Sequence, residues 1–188
     1  MEVEINRHNW EYLRVFAGNA KNLPGALRQL AYAITESEAD AAFRLIEGAI
    51  SDQGLLSESC LAVSSCLVHA LWRCSDVAEG RILELLAIVA GGSDILSEDS
   101  PIGDAGITGC MEVIKLGFPV YCENLELSSD LSKVVSTIDL VLACGLSDAA
   151  LRDPAKASLG AALTRSYSDG IIRLARSSLA DLNEVEDA

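Results

Sequence analysis

Apolar residues recur along almost the whole chain at the three- and four-residue spacing of a helix face. Leu and Ala dominate these stretches, and aromatic residues make up only 5% of the chain. A run of alternating β-branched residues bounded by hairpin turns, which would indicate a strand, does not occur. The sequence therefore predicts an all-α fold.

Turn and capping residues divide this pattern into helices. A first helix is predicted over residues 9–17, with Trp10 as a core anchor, and a third helix is expected to begin with a capping box at Ser37. The helix from a Ser57 cap to about Cys74 is apolar around more than half its circumference, so we expect it to be central. Pro24 is predicted to begin a helix that buries Leu27 and Ile34, and helix caps are predicted at Asp76 and at Ser129 or Asp130. Gly145 is expected to end a helix, and Asp153-Pro154 is expected to begin the final one.

These helices come in pairs joined by short links, at roughly 35 to 50 residues per pair. Helical hairpins at this period are typical of an α-solenoid, in which each pair buries its apolar face by stacking on the next. Stacked hairpins of the HEAT-like kind are therefore favoured, and an irregular helical bundle is the alternative. We expect a single all-α domain over residues 1–188, with a HEAT-like half (1–92), an acidic loop (93–104) and C-terminal helices (105–188).

The charge of the chain restricts its partners. Fourteen Lys and Arg residues against 28 Asp and Glu residues give a formal net charge of −14. Because phosphate backbones and anionic lipids are bound by cations, direct binding to nucleic acid or to a membrane surface is disfavoured. The acidity either serves only to keep the protein soluble or attracts a cationic protein partner. Acids at the N-terminus, where a signal peptide has basic residues, predict a cytoplasmic protein.

The sequence contains no motif that is typical of an enzyme or of a metal site. Phosphate loops, nucleophile elbows, metalloprotease motifs and EF-hand loops are absent. The six cysteines form no CxxC pair and no ligand motif with His8 or His69, so we expect reduced thiols that pack as small apolar residues. Cys66 and His69 share a helix face, but on a central helix such a pair is expected to be buried and inert. We therefore expect no catalysis, no cofactor and no metal.

Several turn and packing residues of the first half form a recognisable order. They are Trp10-x-x-Leu13, Ala17-Gly18-Asn19-Ala20, Leu23-Pro24 followed by Leu27 and Leu30, and Asp52-Gln53-Gly54 before Cys60-Leu-Ala-Val63. This order resembles a bacterial family of HEAT-like repeat proteins over roughly residues 10–91. Two positions depart from the family pattern, since Asp52 stands in place of a His and Leu56 in place of an aromatic residue. Many members resemble immunity proteins encoded beside polymorphic or contact-dependent growth-inhibition toxins, so the resemblance implies a toxin-binding function.

The distribution of charge predicts where a partner binds. Between Ile82 and Ser132, nine acids accompany a single base, Lys115. The candidate partner-binding carboxylates are therefore Asp94, Glu98, Asp99 and Asp104, followed by a second group of Glu36, Glu38 and Asp40. We expect an immunity protein that neutralises a cognate toxin, with a cationic nuclease domain as its target, by electrostatically steered occlusion. The alternatives are a non-catalytic HEAT-like scaffold or adaptor for another bacterial protein and, third, a helical enzyme with an unrecognised site.

Overall fold

The structure is a computed structural model that describes residues 1–93 and 102–185, and it is all-α as predicted. The chain divides into two compact units, which we call unit 1 (Met1–Ile114) and unit 2 (Lys115–Ala188). Within each unit, most helices that are neighbours along the chain pack directly against each other, as in a helical bundle or repeat fold. No helix in the described ranges is long and apolar enough to cross a membrane.

Unit 1 is built around one apolar helix. Its helices are α1 (Glu2–Ile5), α2 (Leu23–Ala31), α3 (Glu36–Ile50), α4 (Cys60–Leu71), α5 (Asp76–Ala90) and α6 (Ile107–Ile114), with a short 3₁₀ turn (Ala20–Asn22) before α2. Helix α4 packs against α1, α2, α5 and α6. All but two of its residues are buried, so the prediction of a central helix is confirmed.

Two helices of unit 1 begin at a different capping residue from the one predicted. Helix α3 is capped by Thr35, whose Oγ1 accepts from the N–H of Glu38 while the Glu38 carboxylate accepts from the N–H of Thr35. The predicted cap at Ser37 is therefore wrong by two residues. Helix α5 is capped by Ser75, and Asp76 follows it in the first turn. In both cases the capping residue has the extended backbone that lets its side chain reach the orphan N–H groups.

A small hairpin separates α3 from α4, where the sequence indicated only a helix end. Strands β1 (Ser51–Asp52) and β2 (Leu55–Leu56) are antiparallel, and Gln53 and Gly54 between them have φ values of 49° and 83°. Positive φ at both central residues is the type I′ conformation, which matches the twist of two paired strands. Ser57 does not cap α4 as predicted, because its buried hydroxyl donates to the Ala49 carbonyl at 3.1 Å.

The predicted helix over residues 9–17 is wrong, because this segment consists of turns and irregular backbone. The helix of this region is the earlier α1. Trp10 is nevertheless a core residue as predicted, and its indole Nε1 donates to the Ile5 carbonyl at 2.8 Å. Leu13 and Phe16 are only half-buried. The apolar spacing thus reflects a segment packed along the surface of unit 1 and not a helix face.

Unit 2 contains four α-helices among its described residues. They are α7 (Phe118–Leu127), α8 (Leu131–Ser147), α9 (Ala149–Ala162) and α10 (Asp169–Glu184), with a 3₁₀ turn (Lys115–Gly117) before α7. The predicted cap at Asp130 is confirmed, since its Oδ1 accepts from the N–H of Ser132 at 2.9 Å. The predicted start at Asp153-Pro154 is wrong. Asp148 caps α9 instead, and Pro154 lies inside this helix, where its missing N–H removes one helical hydrogen bond.

Gly145 does not end α8 as predicted but lies within it, where three helices meet. A Cβ atom placed on this residue would stand 2.8 Å from the Cβ of Ala155 on α9 and 2.9 Å from Cδ2 of Leu182 on α10. Both distances are far shorter than a van der Waals contact between carbon atoms. The missing side chain therefore sets how closely α9 and α10 approach α8.

The cysteines pack in the interior. All six are free, with Cys60, Cys66, Cys110 and Cys144 buried and with Cys74 and Cys122 partly exposed. Burial raises the pKa of the Cys66 and Cys144 thiols to about 12, which keeps both protonated at neutral pH.

We expect titration of the native protein with a thiol reagent to label Cys74 and Cys122 at most, and titration after denaturation to find six thiols. A count below six after denaturation without reductant would show disulfides and contradict a reducing compartment.

Candidate partner-binding surface

The predicted carboxylates of the acidic loop are represented in the structure by one residue. Asp94, Glu98 and Asp99 lie outside the described residues. Asp104 is exposed, and its Oδ1 accepts from the N–H of Gly106 at 2.8 Å, which closes a turn just before α6. The loop surface therefore remains a prediction from the sequence, with Asp104 placed at its end.

The second group of predicted carboxylates lies at the start of α3. Glu36 and Glu38 are exposed in its first turn, where the helix dipole favours negative charge. Asp40 lies about one turn further along and is half-buried, and its Oδ1 accepts from Arg81 Nε at 2.7 Å. Arg81 also donates to Glu84 at 2.6 Å. Asp40 is therefore neutralised within unit 1, whereas Glu36 and Glu38 face solvent.

Contacts between distant parts of the sequence bring two turns of unit 1 together. The Ser75 hydroxyl, in the turn between α4 and α5, donates to the Ala33 carbonyl, in the turn between α2 and α3, at 2.6 Å. The ion pair between Arg81 of α5 and Asp40 of α3 ties the first halves of the same two helices. Because α3 and α5 begin side by side, the acids of their first turns lie on one surface.

The two turns also expose large apolar side chains. Tyr32 is 62% exposed, Ile34 is 80% exposed and Trp72 is 59% exposed. The prediction that Ile34 is buried is wrong, because α2 ends at Ala31 and Ile34 falls beyond its apolar face. We call the following set the turn surface: Tyr32, Ile34 and Trp72 together with the carboxylates of Glu36, Glu38 and Asp76. Exposed apolar side chains rimmed by charge are typical of a protein-binding surface.

An open pocket of about 300 Å³ adjoins the turn surface. Its lining includes Val3, Ala31, Tyr32, His69, Ala70 and Arg73. Tyr32 belongs to both the pocket and the turn surface, so the two form one continuous feature. The lining combines apolar residues with Glu2, His69 and Arg73, and a concave site of this size can hold one large amphipathic side chain of a docked protein.

Among residues 1–93 and 102–185, two carboxylates of the turn surface are held in no ion pair, although Arg73 lies in the adjoining pocket. Most bases of the unit are occupied by other carboxylates: Arg7 by Glu4, Arg14 by Glu58, Lys21 by Glu11, Arg28 by Glu2, and Arg81 by Asp40 and Glu84. Within the described ranges, Glu36 and Asp76 take part in no ion pair. The turn surface therefore presents carboxylates that a cationic partner can neutralise.

Sequence reasoning missed a buried carboxylate, Glu4, on which both histidines of the chain converge. Glu4 accepts from the Ser65 hydroxyl and, at 3.0 Å, from the Arg7 guanidinium. The Nε2 atoms of His8 and His69 lie 3.5 and 3.9 Å from its carboxylate oxygens. The hydrogen bond from Ser65, aided by Arg7, lowers the pKa of Glu4 to about 2. The spacing of Glu4, Arg7 and His8 along the N-terminal segment was the one signal in the sequence.

This cluster does not have the geometry of a nucleophilic site. Ser65 donates to Glu4 and not to a histidine, and Nδ1 of His69 lies 2.9 Å from the Ser65 carbonyl, which can only accept. His69 is half-exposed, so the prediction of a buried pair holds only for Cys66, whose high pKa opposes thiolate formation. The cluster therefore ties α1 to α4. In the part of the chain that the structure describes, no three His, Cys, Asp or Glu residues are placed to hold a metal ion.

Comparisons with known proteins give no similar family, because no family model, no curated protein and no solved structure matches the chain. Support for a function therefore comes from the turn surface, from the charge of the chain and from the order of turn and packing residues over residues 10–91.

Proposed function

We propose that this chain is an immunity protein that binds and neutralises a cognate bacterial toxin with a cationic nuclease domain. The observation that carries the proposal is the turn surface, where Trp72, Ile34 and Tyr32 are exposed beside carboxylates without an internal counter-ion. Trp and Tyr are enriched among the residues that dominate binding energy at protein interfaces. The resemblance of residues 10–91 to HEAT-like immunity proteins supports the same function.

Neutralisation by this surface requires no chemistry. A nuclease carries a cationic cleft because it must bind phosphates. The net charge of −14 attracts such a cleft over a distance, and steering of this kind raises association rates to about 10⁸ M⁻¹s⁻¹ at low salt. The apolar side chains then set the dissociation rate, because they are desolvated only in the docked complex. A carboxylate surface seated over the cleft excludes the nucleic acid.

The first test is whether the gene beside that of this chain encodes a toxin domain, which is then purified as a catalytically inactive variant. We expect Trp72→Ala to raise Kd by about 30-fold, mostly through faster dissociation, since truncating a hot-spot residue costs about 2 kcal/mol. We expect the double variant Glu36→Lys, Asp76→Lys to slow association and to flatten its dependence on salt. Stopped-flow mixing at low and high salt measures both effects.

Matched controls separate the turn surface from general effects of charge and apolar area. The double variant Glu123→Lys, Glu126→Lys changes the net charge equally in unit 2, and Leu127→Ala truncates a similarly exposed apolar residue there. Both should bind almost as the parent chain does, and co-expression of each should protect a bacterial host from the active toxin.

Two results would overturn the proposal. If the turn-surface variants bind normally while charge reversal at Asp94, Glu98 and Asp99 slows association, the interface lies on the loop predicted from the sequence. If the chain neither binds the toxin nor protects the host, the immunity function is wrong, and the scaffold or adaptor function becomes the better explanation.

A further inference from the structure

The outer face of α8 in unit 2 lacks the charges that a solvated helix face normally carries. Helix α8 packs against α7, α9 and α10 and buries Val134, Ile138, Val141 and Cys144 on that side. Its other side carries an aliphatic row of Leu131, Val135, Leu142 and Leu146, interrupted by Asp139 and flanked by Ser132, Ser136, Ala143 and Ser147. Surface helices usually place several charged residues on the face opposite the core. Here Asp139 is the single charged residue of that face.

The aliphatic row and Asp139 together form one stripe. When Asp139 is included, its residues follow one another at intervals of three or four, so they lie on one narrow strip of the helix. The strip extends over about 22 Å at a helical rise of about 1.5 Å per residue. Leu131, Val135 and Leu146 are exposed, and Leu142 is half-buried. The small side chains beside the stripe leave room for a second helix to approach closely.

Asp139 lies at the midpoint of this stripe, eight residues after Leu131 and seven before Leu146. The residue is exposed as a whole, yet partial burial of its carboxyl raises the pKa of Asp139. A carboxylate among apolar neighbours is unfavourable unless a cation pairs with it. The stripe is therefore complementary to an apolar surface with a positive charge at its centre.

The central position of Asp139 distinguishes between possible occupants. A second copy of the chain on a two-fold axis would place one Asp139 opposite the other, and two like charges would be desolvated together. An anionic membrane surface is disfavoured by the net charge of −14. A partner helix with a Lys or Arg between aliphatic residues satisfies both the stripe and the carboxylate.

We propose that the outer face of α8, from Leu131 to Leu146, is a docking site for an amphipathic helix of a partner protein that carries one Lys or Arg at the centre of its apolar stripe. The proposal rests on unit 2 alone and does not depend on toxin binding by the turn surface in unit 1. The docked helix makes a contact of a different kind from that at the turn surface, because apolar burial dominates and a single ion pair with Asp139 fixes the position of the helix along α8.

Two synthetic helical peptides of about 18 residues test the proposal, one with Lys and one with Glu at the centre of an otherwise identical leucine stripe. Fluorescence anisotropy measures binding of each labelled peptide to the full chain. We expect the Lys peptide to bind at least about 10-fold more tightly than the Glu peptide. Asp139→Lys should invert this preference, and Asp139→Asn should abolish it. The control Asp181→Lys makes the same charge change on the exposed side of α10 and should leave the preference intact.

Three results would overturn the proposal. One is that neither peptide binds to the parent chain. Another is that both peptides bind equally and that Asp139→Lys changes neither affinity. The third is that the parent chain sediments as a dimer which Val135→Glu dissociates, because a second copy would then be the occupant. Circular dichroism of each variant shows that the helices remain folded.

Discussion

Leu67→Asp is expected to leave no folded protein at room temperature. Leu67 is 1% exposed and lies in the middle of α4, the helix that packs against α1, α2, α5 and α6. An unpaired carboxylate at this position costs several kcal/mol, against a total stability of about 5 to 15 kcal/mol for a protein of this kind. Far-UV circular dichroism and thermal melting should show the loss of helix and of a cooperative transition.

Leu61→Asp on the same helix is the matched control. Leu61 is 39% exposed, so its replacement should lower the melting temperature by only a few degrees. If Leu67→Asp melts as the parent chain does, α4 does not occupy the centre of unit 1. If both variants unfold, α4 tolerates a carboxylate on neither side, and the distinction between the buried side of Leu67 and the exposed side of Leu61 is wrong.

Glu4→Gln is expected to remove a large part of the pH dependence of the free energy of unfolding in the acidic range. The pKa of Glu4 is about 2 in the folded protein against an ordinary value of 4.5, so the folded state favours the carboxylate. This contribution is fully present above pH 4.5 and disappears as pH falls towards 2. A shift of this size corresponds to roughly 3 kcal/mol. Urea unfolding at neutral pH and at several acidic pH values measures it.

The variant should therefore be less stable than the parent chain at pH 7, and the difference should shrink in acid. Glu11→Gln is the matched control, because the ion pair of Glu11 with Lys21 is exposed and contributes little. A Glu4→Gln protein whose stability follows that of the parent chain at every pH would show that Ser65, Arg7 and the histidines do not hold this carboxylate in the folded state.

Helix starts were predictable from the sequence where a residue acts on its own neighbouring backbone. Pro24 in the first turn of α2 and the Asp130 cap of α8 act on their own backbone, so the sequence is sufficient to find them. The hairpin at Gln53 and Gly54 escaped prediction because two-residue strands are too short to show a period of two. Asp148 caps α9 ahead of Pro154, so the proline lies inside a helix that begins earlier in the chain than its own signal indicated.

The candidate surface was predictable only in part. Composition and charge pointed to carboxylates as a binding feature; Glu36 and Glu38 lie exposed at the start of α3, and their binding to a partner stays a prediction. The contact between Ser75 and Ala33, which are 42 residues apart, has no signature in a single sequence. Periodicity assigned Ile34 to the core, whereas the end of α2 leaves it in solvent. Exposure of an apolar residue depends on where its helix stops, and tertiary contacts fix that position.

Gly145 limits how this chain can vary over generations. Any larger side chain there would act as a wedge between α8 and its two neighbours, so this position on the inner side of the helix is restricted to glycine. On the outer side of the same helix, Val135 is 38% exposed and Leu146 is 41% exposed, so a change at either residue disturbs internal packing less. Lineages of this protein can therefore exchange these outward side chains for others that keep the apolar stripe of the docking site, while the spacing of the helices beneath stays the same.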